Sequence, residues 1–365
     1  MRRAYKASEI FTGESILINH HVIVEDGWIE KIFPASEMEP GLTVTDLGDV
    51  LLLPGLIDAQ VYGAAGFLFA QYPSAETLRA MNEAFIQTGT VAFLPTIASN
   101  PPATIKKCIE AVRSYFENDG KGVMGLHLEG PWFNEKKRGA HLKEWIHPPT
   151  KQEVQDLLEY GEGVIRVITL APEVCDEGII EIILEHGVIV SAGHSDATYA
   201  ESMAGFRKGI RNVTHLYNAM SSLHHREPGL VGATLQHADV LSSIIPDGHH
   251  VSYEAVAIAK KIMGHRLFAI TDAVTETSEG PYQHYRAGDK YECNGILSGS
   301  ALSMYQAFKN LVEKVSISVE ESARMCSLYP SIAIGCSNRY GKIAPGYAGQ
   351  FLAIDKQLEL AAVIT

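Results

Sequence analysis

Eight compact apolar runs, separated by stretches with helical periodicity, constrain the fold of this chain more than any other feature of its sequence. Each run is rich in Val, Ile and Leu, as expected of strands that are buried on both faces. Alternating strands and helices favour a parallel sheet, and eight such units within roughly 250 residues are typical of a (β/α)8 TIM-type barrel. The runs cover residues 51–58, 91–96, 123–130, 164–172, 188–194, 212–218, 241–248 and 266–273.

The two ends of the chain differ from this pattern. Near the amino terminus, Asp26-Gly27 lies between two short apolar runs, which is a hairpin signal, and glycines punctuate short β-type runs from about Gly335 onward. We therefore expect an α/β chain in which residues 1–50 and 337–365 form one discontinuous β-sandwich domain. Residues 51–336 are expected to form the barrel.

Composition excludes several classes of protein. No apolar run approaches the ~18 residues that span a bilayer, and the amino terminus lacks the apolar stretch of a secretory signal. The net charge is −13 without a basic stripe, which argues against nucleic acid as a partner. Five scattered cysteines without a C-x-x-C pair fit a reducing compartment, so we expect a cytoplasmic protein that does not bind membranes.

Polar side chains lie at the ends of six of the eight runs. Active sites of such barrels lie at the carboxyl ends of the strands. A single histidine or aspartate there is more often a packing residue or a helix cap, but six together are hard to attribute to chance. The residues are Asp58, Glu129, His194, His215, Asp247 (followed by His249 and His250) and Asp272.

The chemistry of these residues indicates a hydrolase. Two imidazoles with a carboxylate are a common ligand set for zinc and similar ions, and they leave a position for water. Such an ion lowers the pKa of its bound water toward ~7. We therefore expect Glu129, His194, His215 and Asp272 to gather around a divalent metal ion. Asp272 is the natural candidate to move protons.

Longer motifs surround these residues and point to a known family. They are PGLID (54–58), LHLEGPWF (126–133), RGAH (138–141), SAGHSDAT (191–198), THLYNAM (214–220), HHREPGLVG (224–232), DGHHV (247–251) and ITDA (270–273). In this order, and over nearly the whole chain, they resemble the N-acetylglucosamine-6-phosphate deacetylase family of the amidohydrolase superfamily.

The resemblance implies roles for the residues of the centre. Glu129, His194 and His215 correspond to the metal ligands of the family. Asp272 corresponds to the general base, which takes a proton from water and returns it to the leaving amine. His141 matches a residue that contacts the sugar and the acetyl group, where it would help to stabilise the oxyanion.

The resemblance also implies a phosphate site that is shared across a homodimer. Arg226 and His250 match the groups that hold the 6-phosphate, and Asn218 and Ala219 match positions that contact the sugar phosphate largely through the backbone. A guanidinium suits phosphate oxygens; the plain alternative is that Arg226 pairs with Glu227 or with a surface carboxylate. His249 either tunes this site or only stands beside His250. His127 is either a packing residue or a partner of the metal site.

Two departures from the superfamily pattern favour one metal ion instead of two. Most amidohydrolases carry H-x-H after the first strand, where this chain has Gln60-Val61-Tyr62. The fourth strand reads ITLAPE and lacks the lysine that bridges two metals in other members. Zinc is the expected ion, although iron, cobalt and manganese use the same ligands.

The expected reaction is hydrolysis of N-acetylglucosamine 6-phosphate to glucosamine 6-phosphate and acetate. The galacto isomer of the substrate is an alternative, because the motifs around metal and phosphate do not distinguish one hydroxyl configuration. Another amidohydrolase activity, such as a deaminase or a dihydroorotase-like enzyme, is disfavoured by the missing H-x-H and lysine. A silent sugar-phosphate binder is disfavoured because Glu129, His194, His215 and Asp272 are all retained together. Histidines away from strand ends, His284 among them, are expected to be ordinary surface or core residues.

Overall fold

The computed structural model describes residues 2–37, 41–293 and 295–365. The first described residues form short strands that belong to two sheets. Asp26 and Gly27 make the predicted hairpin turn between the fourth and fifth of them, with φ of 49° and 85° and with Glu25 paired to Trp28. These strands are β1 (Arg2–Lys6), β2 (Glu9–Phe11), β3 (Ile16–Ile18), β4 (His20–Glu25), β5 (Trp28–Pro34), β6 (Val44–Asp46) and β7 (Leu51–Pro54).

The predicted eight-stranded barrel is confirmed. Its elements, in chain order and with a short ribbon β9–β10 after the first barrel strand, are β8 (Leu56–Val61), β9 (Gly63–Ala64), β10 (Phe67–Leu68), α1 (Ala75–Gln87), β11 (Thr90–Ala98), α2 (Pro102–Glu117), β12 (Leu126–Glu129), α3 (Lys151–Tyr160), β13 (Ile165–Leu170), α4 (Ile179–Glu185), β14 (Ile189–Ala192), α5 (Tyr199–Arg207), β15 (Asn212–Val213), α6 (Gly229–Gln236), β16 (Leu241–Ile244), α7 (Tyr253–Met263) and β17 (Leu267–Ala269).

The barrel strands, β8 and β11 to β17, are parallel neighbours in chain order. The ring closes just past the last strand, where Asp272 N donates to Gln60 O (3.0 Å) and Tyr62 N donates to Ala273 O (2.8 Å). Closure therefore brings the end of the eighth strand directly beside the end of the first.

Side-chain caps begin several of the outer helices. Thr150 and Thr198 form capping boxes with Glu153 and Glu201 at the starts of α3 and α5. Ser74 caps α1 in the same way, by accepting a hydrogen bond from a backbone N–H of the first turn. The longest described helix, α2, has 16 residues, and none of the described helices has the length and apolarity that a bilayer span requires.

A three-stranded antiparallel sheet follows the last barrel strand and lies over the barrel mouth. We call β18 (Tyr285–Ala287), β19 (Lys290–Cys293) and β20 (Ile296–Ser300) the flap. Ser300 anchors its end, because Ser300 N donates to Asp272 O (3.0 Å) and Ser300 O accepts from Val274 N (3.2 Å). The chain then forms α8 (Met304–Glu313), α9 (Val319–Cys326), α10 (Leu328–Ala333), β21 (Phe351–Ile354) and β22 (Leu360–Ile364).

Both ends of the chain contribute to the small sandwich. One sheet has the order β5-β4-β1-β6, and the other has the order β22-β21-β7-β2-β3. A separate apolar core lies between them, formed by Ala7, Ile10, Val22, Val24, Ile29, Val50, Leu52, Ile343, Phe351 and Ala353. The β-sandwich of the predicted fold class is thus confirmed, whereas the proposed domain boundaries at 50/51 and 336/337 stay a prediction.

The first predicted run, 51–58, divides into two strands. Its first half is β7, which pairs with β21 in the sandwich, and its second half opens β8 of the barrel. Gly55 separates them at a point of close approach: a Cβ atom there would lie 2.3 Å from a methyl carbon of Val91. The sequence gives no sign of this division, because both halves are buried and the run is apolar through most of its length.

Asp58 is a buried carboxyl group on the first barrel strand, with 2% of its surface exposed. It accepts hydrogen bonds from the backbone N–H groups of Gln60 and Thr271 and from the Thr271 hydroxyl. Burial nevertheless raises the pKa of Asp58 to about 7, against the effect of these donors. Its role is structural, since it ties β8 to the end of β17.

Asp58→Asn is expected to change how stability depends on pH. The folded pKa lies above the unfolded value, so the folded chain keeps a proton that the unfolded chain has lost. The unfolding free energy of the wild type should therefore fall by about 1.4 kcal/mol per pH unit, relative to the variant, as pH rises from about 5 to 7, and level off above 7. Urea unfolding at several pH values measures this, with exposed Asp239→Asn as control. Equal pH slopes for wild type and Asp58→Asn would contradict the expectation.

Candidate active site

Four polar residues converge at the carboxyl ends of the barrel strands. Glu129 is the last residue of β12, while His194, His215 and Asp272 lie two or three residues beyond β14, β15 and β17. All four are less than 10% exposed. This is the end of the barrel at which active sites are built, and the structure places the four predicted residues there together.

Three of these residues leave their strands with a left-handed backbone. The φ angles are 48° at His194, 38° at His215 and 54° at Asp272. Such angles are uncommon outside glycine and cost of order 1–3 kcal/mol each. At each of these positions the turn coincides with a side chain that enters the polar cluster, so the candidate site includes part of the backbone strain of the chain.

The Glu129 carboxylate stands at the centre of the cluster. Its Oε1 lies 3.0 Å from His215 Nε2 and 3.3 Å from His194 Nε2, and the two imidazole nitrogens are 3.2 Å apart. Burial lowers the pKa of His194 to about 4, so its ring is neutral near pH 7. Burial alone would raise the pKa of Glu129, but the close contacts with His141, His194 and His215 outweigh it and hold the pKa of this carboxyl well below its usual range.

The donor set fits a divalent cation. His194 Nδ1 lies 2.9 Å from the Lys137 carbonyl oxygen, which can only accept, so Nδ1 carries the proton and the Nε2 lone pair faces Glu129. This carbonyl-to-histidine contact is the usual support of a metal-binding imidazole. His215 lacks such support, since its Nδ1 is buried without a hydrogen-bond partner among the described residues. Two imidazoles and one carboxylate are a common zinc ligand set.

His141 approaches the same point but in the opposite tautomer. Glu129, His141 and His194 offer ligand atoms that lie within 4.8 Å of one another, and His141 Nε2 is 3.4 Å from Glu129 Oε2. The backbone N–H of Ser99 donates to His141 Nδ1 (3.1 Å), so Nδ1 is the acceptor. In the neutral ring Nε2 then carries the hydrogen. Distance alone would make His141 a ligand, but its hydrogen bonding makes Nε2 a donor.

Asp272 is linked to Glu129 through the side chain of Gln60. Burial, and then the charge of Glu129, raise the pKa of Asp272 to about 6. Its Oδ1 accepts a 2.6 Å hydrogen bond from Gln60 Nε2, and the same nitrogen lies 2.9 Å from Glu129 Oε1. A carboxyl group with a pKa near neutrality can both take up and return a proton.

The two departures from the superfamily pattern, at Gln60 and on the fourth barrel strand, take part in hydrogen bonds. The side-chain nitrogen of Gln60 fills the space between the two carboxylates. On the fourth barrel strand, Thr169 stands in the barrel interior and bonds His127 Nε2 (2.7 Å) and Thr214 Oγ1 (2.8 Å). His127 also contacts Ala59 O, so it belongs to this interior network.

A cavity of about 230 Å³ opens beside the cluster. It contains eight of the nine predicted site residues, namely Glu129, His141, His194, His215, Asn218, Ala219, His250 and Asp272. Asp247 fixes the orientation of the His250 ring, because Asp247 Oδ2 lies 2.6 Å from His250 Nδ1. The pocket therefore contains the proposed metal ligands together with His250, one of the two side chains predicted to hold the phosphate.

Arg226 is the ninth predicted residue and lies outside this pocket. It is exposed, and its Nη1 is 3.0 Å from His225 Nε2 in the loop before α6. Its predicted alternative partner, Glu227, bonds His224 through the backbone. His249 turns away as well, toward Asp289 of the flap (2.8 Å).

Several pocket residues were not predicted. The flap and the segment before it supply Tyr282, His284, Leu297, Ser298 and Gly299, and the first barrel strand and the ribbon after it supply Tyr62, Leu68 and Ala70. His284 is buried, which lowers its pKa to about 4, and it also lines the pocket. The residues from the flap and the segment before it follow no end of a barrel strand, and the sequence signal for them was the unusually long stretch between β17 and α8.

Comparison with known proteins agrees with the architecture. The sequence matches the amidohydrolase family over residues 51–365 and the NagA composite domain over residues 4–51. The first match covers the barrel and the last two strands, and the second covers most of the amino-terminal strands. The fold and the sequence therefore point to the same assignment.

Individual relatives extend over almost the whole chain. The N-acetylglucosamine-6-phosphate deacetylase of Haemophilus influenzae is 36% identical over 348 residues, which cover 92% of this chain and 91% of that protein. The N-acetylgalactosamine-6-phosphate deacetylase of Escherichia coli O157:H7 is 31% identical and covers 100% of this chain and 98% of its own. The crystal structure of N-acetylglucosamine-6-phosphate deacetylase from Pasteurella multocida superposes with a TM-score of 0.94 at 31% identity, covering 100% and 98%.

Proposed function

The chain belongs to the amidohydrolase family, and from that premise we propose that it hydrolyses N-acetylglucosamine 6-phosphate to glucosamine 6-phosphate and acetate. The observation that carries the proposal is the convergence of Glu129, His194, His215 and Asp272 beside a pocket that also contains His250. The relatives that bear this activity in their names span the same barrel and sandwich. The reaction belongs to the breakdown of amino sugars.

One divalent cation, which we propose to be zinc, would be held by Glu129, His194 and His215. A cation in this setting polarises a carbonyl group and makes hydroxide available near pH 7. Glu129 keeps its negative charge there because its pKa is low. The neutral His194 directs Nε2 toward the same point because Lys137 O holds the proton of Nδ1.

Asp272 is the proposed general base and acid. Its Oδ1 is held by Gln60, so Oδ2 is the oxygen that takes a proton from the attacking water and later returns it to the leaving amine. His141 Nε2–H would donate to the acetyl oxygen as negative charge develops on it. Ser99 fixes the donor form of His141.

The phosphate end of the substrate would contact His250 and the backbone of Asn218 and Ala219, which lie together in the pocket. Arg226 lies outside the pocket of its own chain, so we propose that it completes the phosphate site of a second subunit in a homodimer. In a two-fold symmetric dimer, each subunit would supply its Arg226 to the phosphate site of the other.

Mixed dimers test the shared site. Asp272→Asn and Arg226→Ala homodimers are each expected to be nearly inactive below KM. After subunit exchange, about half of the dimers are mixed, and one of the two pockets in each mixed dimer has Asp272 of its own subunit and Arg226 of the partner subunit. About a quarter of the wild-type activity should therefore return. Mixing Asp272→Asn with His215→Asn is the control, because no complete pocket can form. Absence of recovery in exchanged dimers would contradict a shared site.

Acetate release from the two isomeric substrates tests the function itself. We expect the gluco sugar phosphate to be hydrolysed with the higher kcat/KM, and activity to be lost on chelation and restored by zinc. The galacto isomer is the second candidate, favoured by the E. coli relative at 31% identity. A strong preference for the galacto sugar would reject the first assignment, and no hydrolysis of either would reject the deacetylase proposal.

We place the reaction in the cytoplasm. Among the described residues, Cys108, Cys175, Cys326 and Cys336 form no disulfide, and all of these but Cys175 are buried. Burial raises the pKa of Cys108 and Cys336 to about 12, so these thiols stay protonated and unreactive. Free structural thiols of this kind fit a reducing compartment.

A further inference from the structure

The side chain of Gln60 contacts two carboxylates of the candidate site, and the steps above use only one of these contacts, the one with Asp272. It is 1% exposed and lies on β8 at the closure of the barrel. Its side-chain nitrogen lies 2.6 Å from Asp272 Oδ1 and 2.9 Å from Glu129 Oε1. Both of these oxygens can only accept when ionised, so the amide nitrogen donates one hydrogen to each.

The backbone of Gln60 holds the same partner. Gln60 O accepts a hydrogen bond from Asp272 N (3.0 Å), so the main chain and the side chain of Asp272 are both fixed by one residue. Gln60 is itself fixed, because its N–H donates to Asp58 Oδ1 (3.2 Å). The left-handed backbone at Asp272 is thus held between Gln60 and Ser300.

Two buried carboxylates so close together repel each other. The –NH2 group of an amide places two partially positive hydrogens between them without adding a formal charge, and it is too weak a ligand to hold a metal ion. Among the described residues, Asp272 Oδ2 takes no hydrogen bond, so the contact with Oδ1 decides which oxygen faces the pocket. A histidine or a carboxylate at position 60 could not make both donations.

We propose that Gln60 is a positioning residue for the reaction. Its amide bridges Glu129 and Asp272, keeps the two carboxylates at a fixed separation, and turns Oδ2 of Asp272 toward the reacting water. The proposal rests on the proposed function, because it assigns a geometric role within that chemistry. A small misplacement of a reacting group lowers the rate strongly and leaves substrate binding nearly unchanged.

Two variants test this role. Gln60→Met keeps the length of the side chain and removes both donors; we expect kcat to fall by about 100-fold, with KM within about threefold and one metal ion per protomer retained. Gln60→Glu keeps the shape and adds a third carboxylate; we expect a larger fall in kcat. Gln236→Met, an exposed site on α6 that bonds only Tyr199 among the described residues, is the matched control and should leave kcat unchanged.

The results distinguish a failure of the positioning role from a failure of the proposed function. Wild-type kcat in Gln60→Glu or Gln60→Met would overturn the proposal, and so would a loss of activity that follows loss of metal, since Gln60 would then serve the metal site. A change in KM alone would also overturn it. If the wild type hydrolyses neither sugar phosphate, the proposed function fails first. An active wild type with indifferent Gln60 variants rejects only the positioning role.

Discussion

Asp272→Asn is expected to lower kcat by about 10²–10⁴-fold, which is the usual contribution of a general acid–base residue. Asn keeps the volume of the side chain but cannot accept the proton of the attacking water. Acetate release measures the effect, and metal analysis should show that one ion per protomer is retained. Exposed Asp239→Asn is the matched control and should have unchanged kcat. Rapid hydrolysis by the metal-loaded Asp272→Asn variant would remove Asp272 from the mechanism.

The pH dependence of kcat/KM, in the wild type and in the same variant, is a second test of the role of Asp272. The base must be ionised to work, so kcat/KM of the wild type should fall as pH falls through the pKa of Asp272. Burial and Glu129 raise this pKa to about 6, and a bound cation lowers it, so the midpoint is expected at or below 6. The residual activity of Asp272→Asn should lack this acidic fall.

His141→Asn is expected to lower kcat by about 10²–10³-fold while the metal stays bound, because it removes a hydrogen-bond donor to the developing oxyanion. His194→Asn should behave differently and lose the metal. The contrast follows from the ring nitrogens: Ser99 N–H occupies Nδ1 of His141, whereas Lys137 O takes the proton of His194 Nδ1.

Metal content and kcat of the two variants, measured in parallel, decide between these roles. A third variant, Lys143→Ala, changes an exposed residue near His141 that pairs with Glu135, and it serves as the control. If His141→Asn released the metal as His194→Asn does, His141 would be a ligand. Glu129, His141 and His194, whose ligand atoms lie close to one another, would then be the metal ligands.

The barrel and its polar centre could be predicted because both depend on local patterns. Strands buried on both faces are continuously apolar, and the residue at which each run ends lies at one rim of the barrel. That rule placed Glu129, His194, His215 and Asp272 together although up to 143 positions separate them. The Asp26-Gly27 dipeptide likewise predicted the hairpin between β4 and β5.

The remaining parts of the site depend on tertiary contacts that leave no periodic signal. The flap is built from short strands after β17, and the sequence did not indicate that Tyr282 and His284 would face the pocket. The division of 51–58 at Gly55 depends on the close approach of Val91, from a different strand. The tautomer of His141 depends on a backbone N–H that lies 42 positions away in the sequence.

The pairing of β7 with β21 has a consequence for synthesis of the protein. Leu51–Pro54 pairs with Phe351–Ile354, so the partner of an early strand leaves the ribosome only after the whole barrel has been made. Until then β7 presents an open strand edge, which is a template for wrong pairing. We expect nascent chains that stop before residue 351 to carry a formed barrel beside an incomplete sandwich, and to depend on chaperones until the last strands arrive.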